Sequence, residues 1–217
     1  MIQFRDVTKI VGGPGGKLVA KGINLTIPSR TPVALLGRNG AGKSTMLRMI
    51  SGALPPTSGE IIRRGRISWP VGFAGSFHGD LTGIQNVRFV GRIYGVDTDE
   101  LSAYVEAFAG LGAHYRKPLR TYSSGMKSRL AFGVSMGIDF DVYLVDEVTS
   151  VGDVAFRQLS SKVFKARMKD AGAVVVAHSM AMIRDLCSAG IVLENGRATY
   201  FEDLEEAVAT HEANMAA

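Results

Sequence analysis

The nine residues from Gly37 to Thr45, "GRNGAGKST", have the types and spacing needed to hold a polyphosphate. Gly37, Gly40 and Gly42 let the backbone curl where a Cβ would clash. The amides running through Arg38, Asn39 and Ala41 to Thr45 then point inward at a helix amino terminus, which favours an anion. Lys43 supplies a cation for the β- and γ-phosphates, and the Ser44 hydroxyl a ligand for Mg²⁺. A second stretch, "FDVYLVDEVTS", ends a buried strand in adjacent acids. Asp146 can hold Mg²⁺ through water, and Glu147 can orient a water molecule or take its proton. A third, "TYSSGMKSRL", places small hydroxyls and a glycine before a helix with basic residues close behind. It reads as a second anion-binding helix start, although an ordinary cap at Ser123 or Ser124 explains the same residues. His178 follows the apolar run "VVVA", at the edge where ligands collect in open α/β sheets.

These residues need strands and helices to bring them together. "TPVALLG" suits a buried strand leading into the phosphate loop, and "KSTMLRMIS" spaces Met46, Leu47, Met49 and Ile50 along a helix. Upstream, "IQFRDV" and "LVAKGINLTI" read as strands joined by the turn "GGPGG", and "EIIRRGRIS" as one further strand. "IQNVRFVGRIYG", "DELSAYVEAFAGLG" and "SGMKSRLAFGVSMGI" have helical spacing. From Asp141 strands and helices alternate, through a hairpin turning at Asn195-Gly196, to a carboxyl-terminal helix expected to fray. The fold class is α/β: residues 1–69 and 136–217 form the core, and about 70–135 a helical insert.

Composition narrows the function. The chain has 217 residues, 46% of them hydrophobic, enough to fill a core. No run approaches the roughly 18 apolar residues of a membrane span, and "MIQFRDVTKI" lacks the apolar block of a signal peptide. A cytoplasmic location is expected. One cysteine, Cys187, permits no internal disulfide and reads as a small core residue. The net charge of +5 suits phosphate ligands, an anionic membrane surface or nucleic acid. Its one cluster, Arg116, Lys117, Arg120, Lys127 and Arg129, has no zinc-ligand spacing or aromatic platform beside it. No nucleic-acid partner is expected.

In this order the motifs resemble the ATP-binding subunits of ABC transporters over nearly the whole chain. "GRNGAGKST" resembles the Walker A loop, "TYSSGM" the signature, "VYLVDE" Walker B, "TSVGD" with Asp153 the D-loop, and His178 the switch histidine. The resemblance implies an ABC-type P-loop ATPase fold with a RecA-like core, an antiparallel β subdomain and a small helical subdomain. It implies a head-to-tail homodimer around two Mg-ATP, with Ser123, Ser124, Gly125 and Met126 acting on the partner's nucleotide. Glu147 and His178 would be the catalytic residues. "ISWPVGFAGSF", "TYSSGMKSRL" and "VDEVTSVGD" look most like the ATPase of capsular polysaccharide exporters. Glycan-recognising O-antigen ATPases carry an added carboxyl-terminal β-domain, for which 217 residues leave no room. The expectation is a motor for lipid-linked capsular polysaccharide, on the cytoplasmic face of the inner membrane. Its partners would be a permease and, indirectly, periplasmic and outer-membrane export proteins. O-antigen or teichoic acid export is the alternative, and a soluble ABC ATPase outside transport a remote one.

The resemblance also gives a reading of "SWPVGFAGSFHGDLTG", which is too apolar for an idle loop. In the family this loop meets the coupling helix of the membrane subunit. Trp69, Phe73 and Phe77 would line or support that groove, or alternatively pack the insert onto the core. Two departures stand out. No glutamine lies between Ser68 and Gly83 where the family has one touching Mg²⁺ and the attacking water; His78 is the nearest candidate for its place, able when neutral to hydrogen-bond water but with no metal role. Val11 stands near the place where most members stack adenine on an aromatic ring, which implies loose nucleotide discrimination.

Overall fold

The structure is a computed structural model and describes residues 1–13, 15–75, 77–146, 153–177 and 179–216. It divides into two compact units, one of residues 1–70, 140–147 and 168–217, the other of 71–139 and 148–167.

Two sheets build the first unit. β1 (Ile2–Val11), β2 (Lys17–Ile27) and β4 (Ser58–Arg63) form an antiparallel sheet with β1 in the middle. The other sheet takes β3 (Pro32–Leu36), β5 (Ile67–Pro70), β6 (Val142–Asp146), β7 (Gly172–Val176), β8 (Ala189–Glu194) and β9 (Arg197–Phe201). Its order is β5-β6-β7-β3-β8-β9, parallel except for β9. Interior strands of such a sheet are covered on both faces, which is why "VYLV" and "GAVVV" are continuously apolar and buried. The parallel register brings the carboxyl ends of β3, β7 and β6 to one edge: Ala34 pairs with Val175, and Val176 with Asp146. At the far edge, Asn195 (φ 49°) and Gly196 (φ 78°) make the predicted tight turn between β8 and β9.

The stretch expected as one strand over 60–68 is instead two strands in two sheets. Gly65, at φ 93°, makes the break, and a Cβ there would lie 2.6 Å from Asp141 Oδ2. That carboxylate accepts the Arg66 N–H at 2.7 Å, and Arg66 O accepts the Asp141 N–H at 2.8 Å.

Helix α1 (Lys43–Ile50) is fixed by its apolar face and its far end. Met46, Leu47, Met49 and Ile50 are buried in the core with Ile2, Phe4 and Ile27 of one sheet and Leu144 and Val174 of the other. Arg63 closes the carboxyl end, donating Nε to Ile50 O at 2.8 Å and Nη2 to Met49 O at 2.5 Å. A cation there is favoured at the negative end of the helix dipole. Cys187, after α6 (Met180–Leu186), is buried, and burial pushes its thiol up to about 12, so it behaves as a small apolar residue.

The second unit is helical: α2 (Gly83–Tyr94), α3 (Thr98–Ala109), α4 (Ser124–Gly137) and most of α5 (Val154–Met168). A reciprocal capping box of Thr82 and Gln85 starts α2, and Gly95 ends it in the left-handed region. Asp97 caps α3 through the N–H groups of Asp99 and Glu100, which also hold its carboxyl below the usual range. Phe108 is the hub, its ring centroid 5.4 to 5.9 Å from those of Tyr104, Phe132 and Phe156. Phe156 belongs to α5, and Arg167 of α5 donates to Met136 O at 2.8 Å and pairs with Asp139. These contacts carry the unit beyond the expected boundary near residue 135. Phe108→Ala is expected to lower the unfolding free energy by about 3–5 kcal/mol, read as a reduced urea midpoint at unchanged slope.

Candidate nucleotide-binding site

The phosphate loop leaves β3 and curls into α1. Gly40 (φ 77°) and Gly42 (φ 111°) adopt left-handed backbone that a side chain would strain. Space is short as well: a Cβ at Gly42 would lie 3.1 Å from Val19 Cβ, and one at Gly37 2.5 Å from Leu193 O. Gly42 is the residue before α1 and brings no side-chain cap, and the first turn holds no acid. The first amides of α1 are therefore left for a ligand. Lys43 Nζ donates to Gly37 O at 2.7 Å and Arg38 O at 3.1 Å, so its ammonium lies over the loop. Lys17, the first residue of β2, donates to Gly40 O at 2.7 Å.

A cavity of about 550 Å³ opens here, lined by Val11, Lys17 and Val19 on one side and by Asn39, Gly40 and Gly42 to Thr45 on the other. That volume lies within the range of small-molecule sites, roughly 300–1,000 Å³. Its donors are backbone amides, two ammonium groups and the Ser44 and Thr45 hydroxyls, a set that fits a polyphosphate. Lys17 and Val19 were not legible as site residues, because no local motif marks the start of β2 as the wall opposite the loop. Val11, the last residue of β1, also lines the cavity.

Asp146 is half-buried at the end of β6, one strand removed from β3. With Ser44 it offers the hard oxygen ligands that Mg²⁺ takes beside water and phosphate. Among the described residues no group of three or more His, Cys, Asp or Glu side chains could hold a metal by itself. Glu147 and His178 lie outside the described residues.

The other predicted residues divide between the units. In the second, Ser123 caps α4, its Oγ accepting the Met126 N–H at 3.2 Å, while Ser124 and Gly125 form the first turn. Asp153 accepts the Phe156 N–H at 2.9 Å and pairs with Arg129, which also lies 4.8 Å over the Phe156 ring. The helix-start amide and then Arg129 hold the Asp153 carboxyl below its usual range. Exposed His78 has a local partner, its Nδ1 accepting the Asp80 N–H at 3.3 Å, and Asn86 braces the loop from below. Phe73 is 54% exposed, Phe77 half-buried. In the first unit, Trp69 packs edge-on against Phe140 at 5.4 Å.

A family model described as ABC transporter matches residues 20–150, from β2 past the phosphate loop and α4 to the acidic end of β6. The chain belongs to the ABC transporter family. It is 46% identical over 212 residues to the polysialic acid transport ATP-binding protein KpsT of Escherichia coli, covering 96% of this chain and 95% of that protein. The capsule polysaccharide export ATP-binding protein CtrD of Neisseria meningitidis serogroup B is 45% identical over 208 residues, 95% and 96% of the two chains. Among solved structures, the dimeric ATP-binding cassette MJ0796, in a post-hydrolysis state with ADP and Pi, superposes with a TM-score of 0.75. At 23% identity, covering 94% of this chain and 99% of the other, that match establishes the fold. The protein is an ABC-type ATPase with the expected P-loop fold.

Gly42→Val is expected to weaken ATP binding by about tenfold or more, because the left-handed backbone and Val19 both oppose the new side chain. Equilibrium dialysis with labelled ATP measures the loss, and unchanged far-ultraviolet circular dichroism would confine it to the loop.

Proposed function

We propose that this ABC ATPase is the motor of an exporter that carries capsular polysaccharide, linked to lipid, across the cytoplasmic membrane. The observation that carries the proposal is near-full-length similarity, at 45–46% identity, to ATP-binding proteins named for polysialic acid transport and capsule polysaccharide export. Two copies close around two nucleotides. Lys43 and the loop amides bear the phosphate charge, while Ser44 and Asp146 hold Mg²⁺. Bound Mg²⁺ supplies further neutralisation of charge at the β- and γ-phosphates. Glu147 orients the attacking water and takes its proton, and His178 contacts the γ-phosphate. Ser124 and Gly125 at the start of α4, with Asp153, complete the partner's site.

A membrane permease, in two copies, is the direct partner, with periplasmic and outer-membrane export proteins beyond it. Among the described residues no helix is long and apolar enough to cross a membrane. The docking surface is on the second unit, where Phe73, Phe89 and Ile93 are 54%, 50% and 62% exposed. Phe89 and Ile93 are four apart on α2 and so share a face. Helical periodicity alone would have placed both in a core. His78 shapes the loop through the Asp80 amide.

Replacing the gene in the encoding bacterium with the Glu147→Gln form tests the proposal. Turnover should fall about a hundredfold or more, with ATP binding retained. Capsule should vanish from the surface while polymer collects inside the cell. Surface capsule at the normal level would overturn the assignment. In the reconstituted complex, Phe73→Ala should reduce transport more than basal hydrolysis, measured as polymer moved per ATP consumed.

A further inference from the structure

The carboxyl-terminal helix α7 (Leu204–Ala216), expected from sequence to fray, is held to the first unit along its length. Asp203 accepts the Glu206 N–H at 3.0 Å, and Arg184 pairs with Glu205 at 2.8 Å. Leu204, Ala207 and Val208 are buried. Contact with β8 is so close that a Cβ at Gly190 would lie 2.4 Å from Ala207 Cβ. The last turn of α7 then arrives at the phosphate loop. Arg38, the second residue of that loop, donates its guanidinium to the main-chain carbonyl of Asn214. Carbonyls in a last helical turn lack partners of their own and carry the negative end of the dipole, so a cation is favoured there.

Between loop and helix lies a second cavity, of about 300 Å³, whose wall includes Arg38, Asn39 and Lys43 from the loop, Val176 from β7, and His211 and Met215 from α7. His211 Nδ1 and Glu194 Oε2 are buried without hydrogen-bond partners among the described residues. An unpaired buried polar atom beside the phosphate-binding lysine calls for a role. We propose that His211 is a positioning residue of the nucleotide site, acting on the phosphate loop from the carboxyl-terminal helix. This rests on the ATPase reading above and adds to it a residue outside every motif of the sequence.

Charge gives the proposal a measurable sign. Burial, then Lys43 of α1 and Arg38 of the loop, hold the His211 imidazole below its ordinary value, while Glu194 of β8 and Glu212 of its own helix pull the other way. β3 and β9 also pack on α7; β3 brings no titratable side chain, and β9 brings Arg197 and Tyr200. Phosphates seated on Lys43 offset its positive charge, so nucleotide makes His211 easier to protonate. By linkage, protonated His211 then binds nucleotide more tightly by the same factor.

The affinity of the full chain for Mg-AMP-PNP, compared between pH 7.5 and 5.5 in wild type and His211→Gln, reads this coupling. Relative to the variant, wild type should gain about threefold or more as pH falls, since one unit of coupled shift is a factor of about ten. Protonation of the nucleotide cancels in the comparison. Superimposable pH curves would overturn the role of His211. In wild type alone, the imidazole resonance of His211 should titrate at higher pH with AMP-PNP than without it, and an unmoved titration would overturn the proposal whatever the variant's folding. Lys43→Ala separates the two claims. Loss of binding there, with superimposable curves for His211, removes the histidine and keeps the nucleotide site. Retained binding removes the site and the proposal with it.

Discussion

The site depends on leaving the amino end of α1 uncapped. Helices ordinarily satisfy their first amides with a serine, threonine or aspartate side chain, worth about 1 kcal/mol. Here Gly42 stands at that position and offers nothing. The helix holds its place by other means. Four apolar residues on one face are sunk between two sheets, and Arg63 closes the opposite end. Because the rest of the helix is over-determined, its amino terminus can stay unsatisfied and wait for phosphate without fraying.

The same economy governs the loop before it. Gly37 and Gly42 are glycines for reasons of space as well as of torsion, since β8 and β2 approach them closely. Lys43 folds back on the carbonyls of Gly37 and Arg38, which neutralise nothing but fix its direction. Lys17 adds a second ammonium from β2, and α7 draws on Arg38 from behind. The loop is thus held from both sides by elements far from it in sequence, which suits a cradle that must not rearrange when charge arrives.

Much of this was legible beforehand because it is local. The spacing of "GRNGAGKST", the apolar strands before it and before Asp146, and the helical periodicity of α2 to α4 each report on a few consecutive residues. What escaped was set by distant partners. The break at Gly65 exists because Asp141 comes to meet it. α5 leaves the core because Phe156 fits beside Phe108. Phe89 and Ile93 are exposed although their spacing is that of buried residues, and Lys17 and His211 enter through tertiary packing. The cap at Ser123 is the intermediate case: the residue types were clear, while the same geometry serves an ordinary helix and an anion site alike.

The paired amides and carboxylate of Arg66 and Asp141 have a meaning for how such proteins diversify. They pin together two points 75 residues apart in the chain, immediately before β5 and β6. All of residues 71–139 therefore leave and re-enter the first unit at neighbouring strands of one sheet. A segment tethered in that way can be lengthened, shortened or exchanged at small entropic cost, because the loop it closes is already closed. A lineage can refit that segment while the phosphate loop, its sheet and the helix behind it stay as they are.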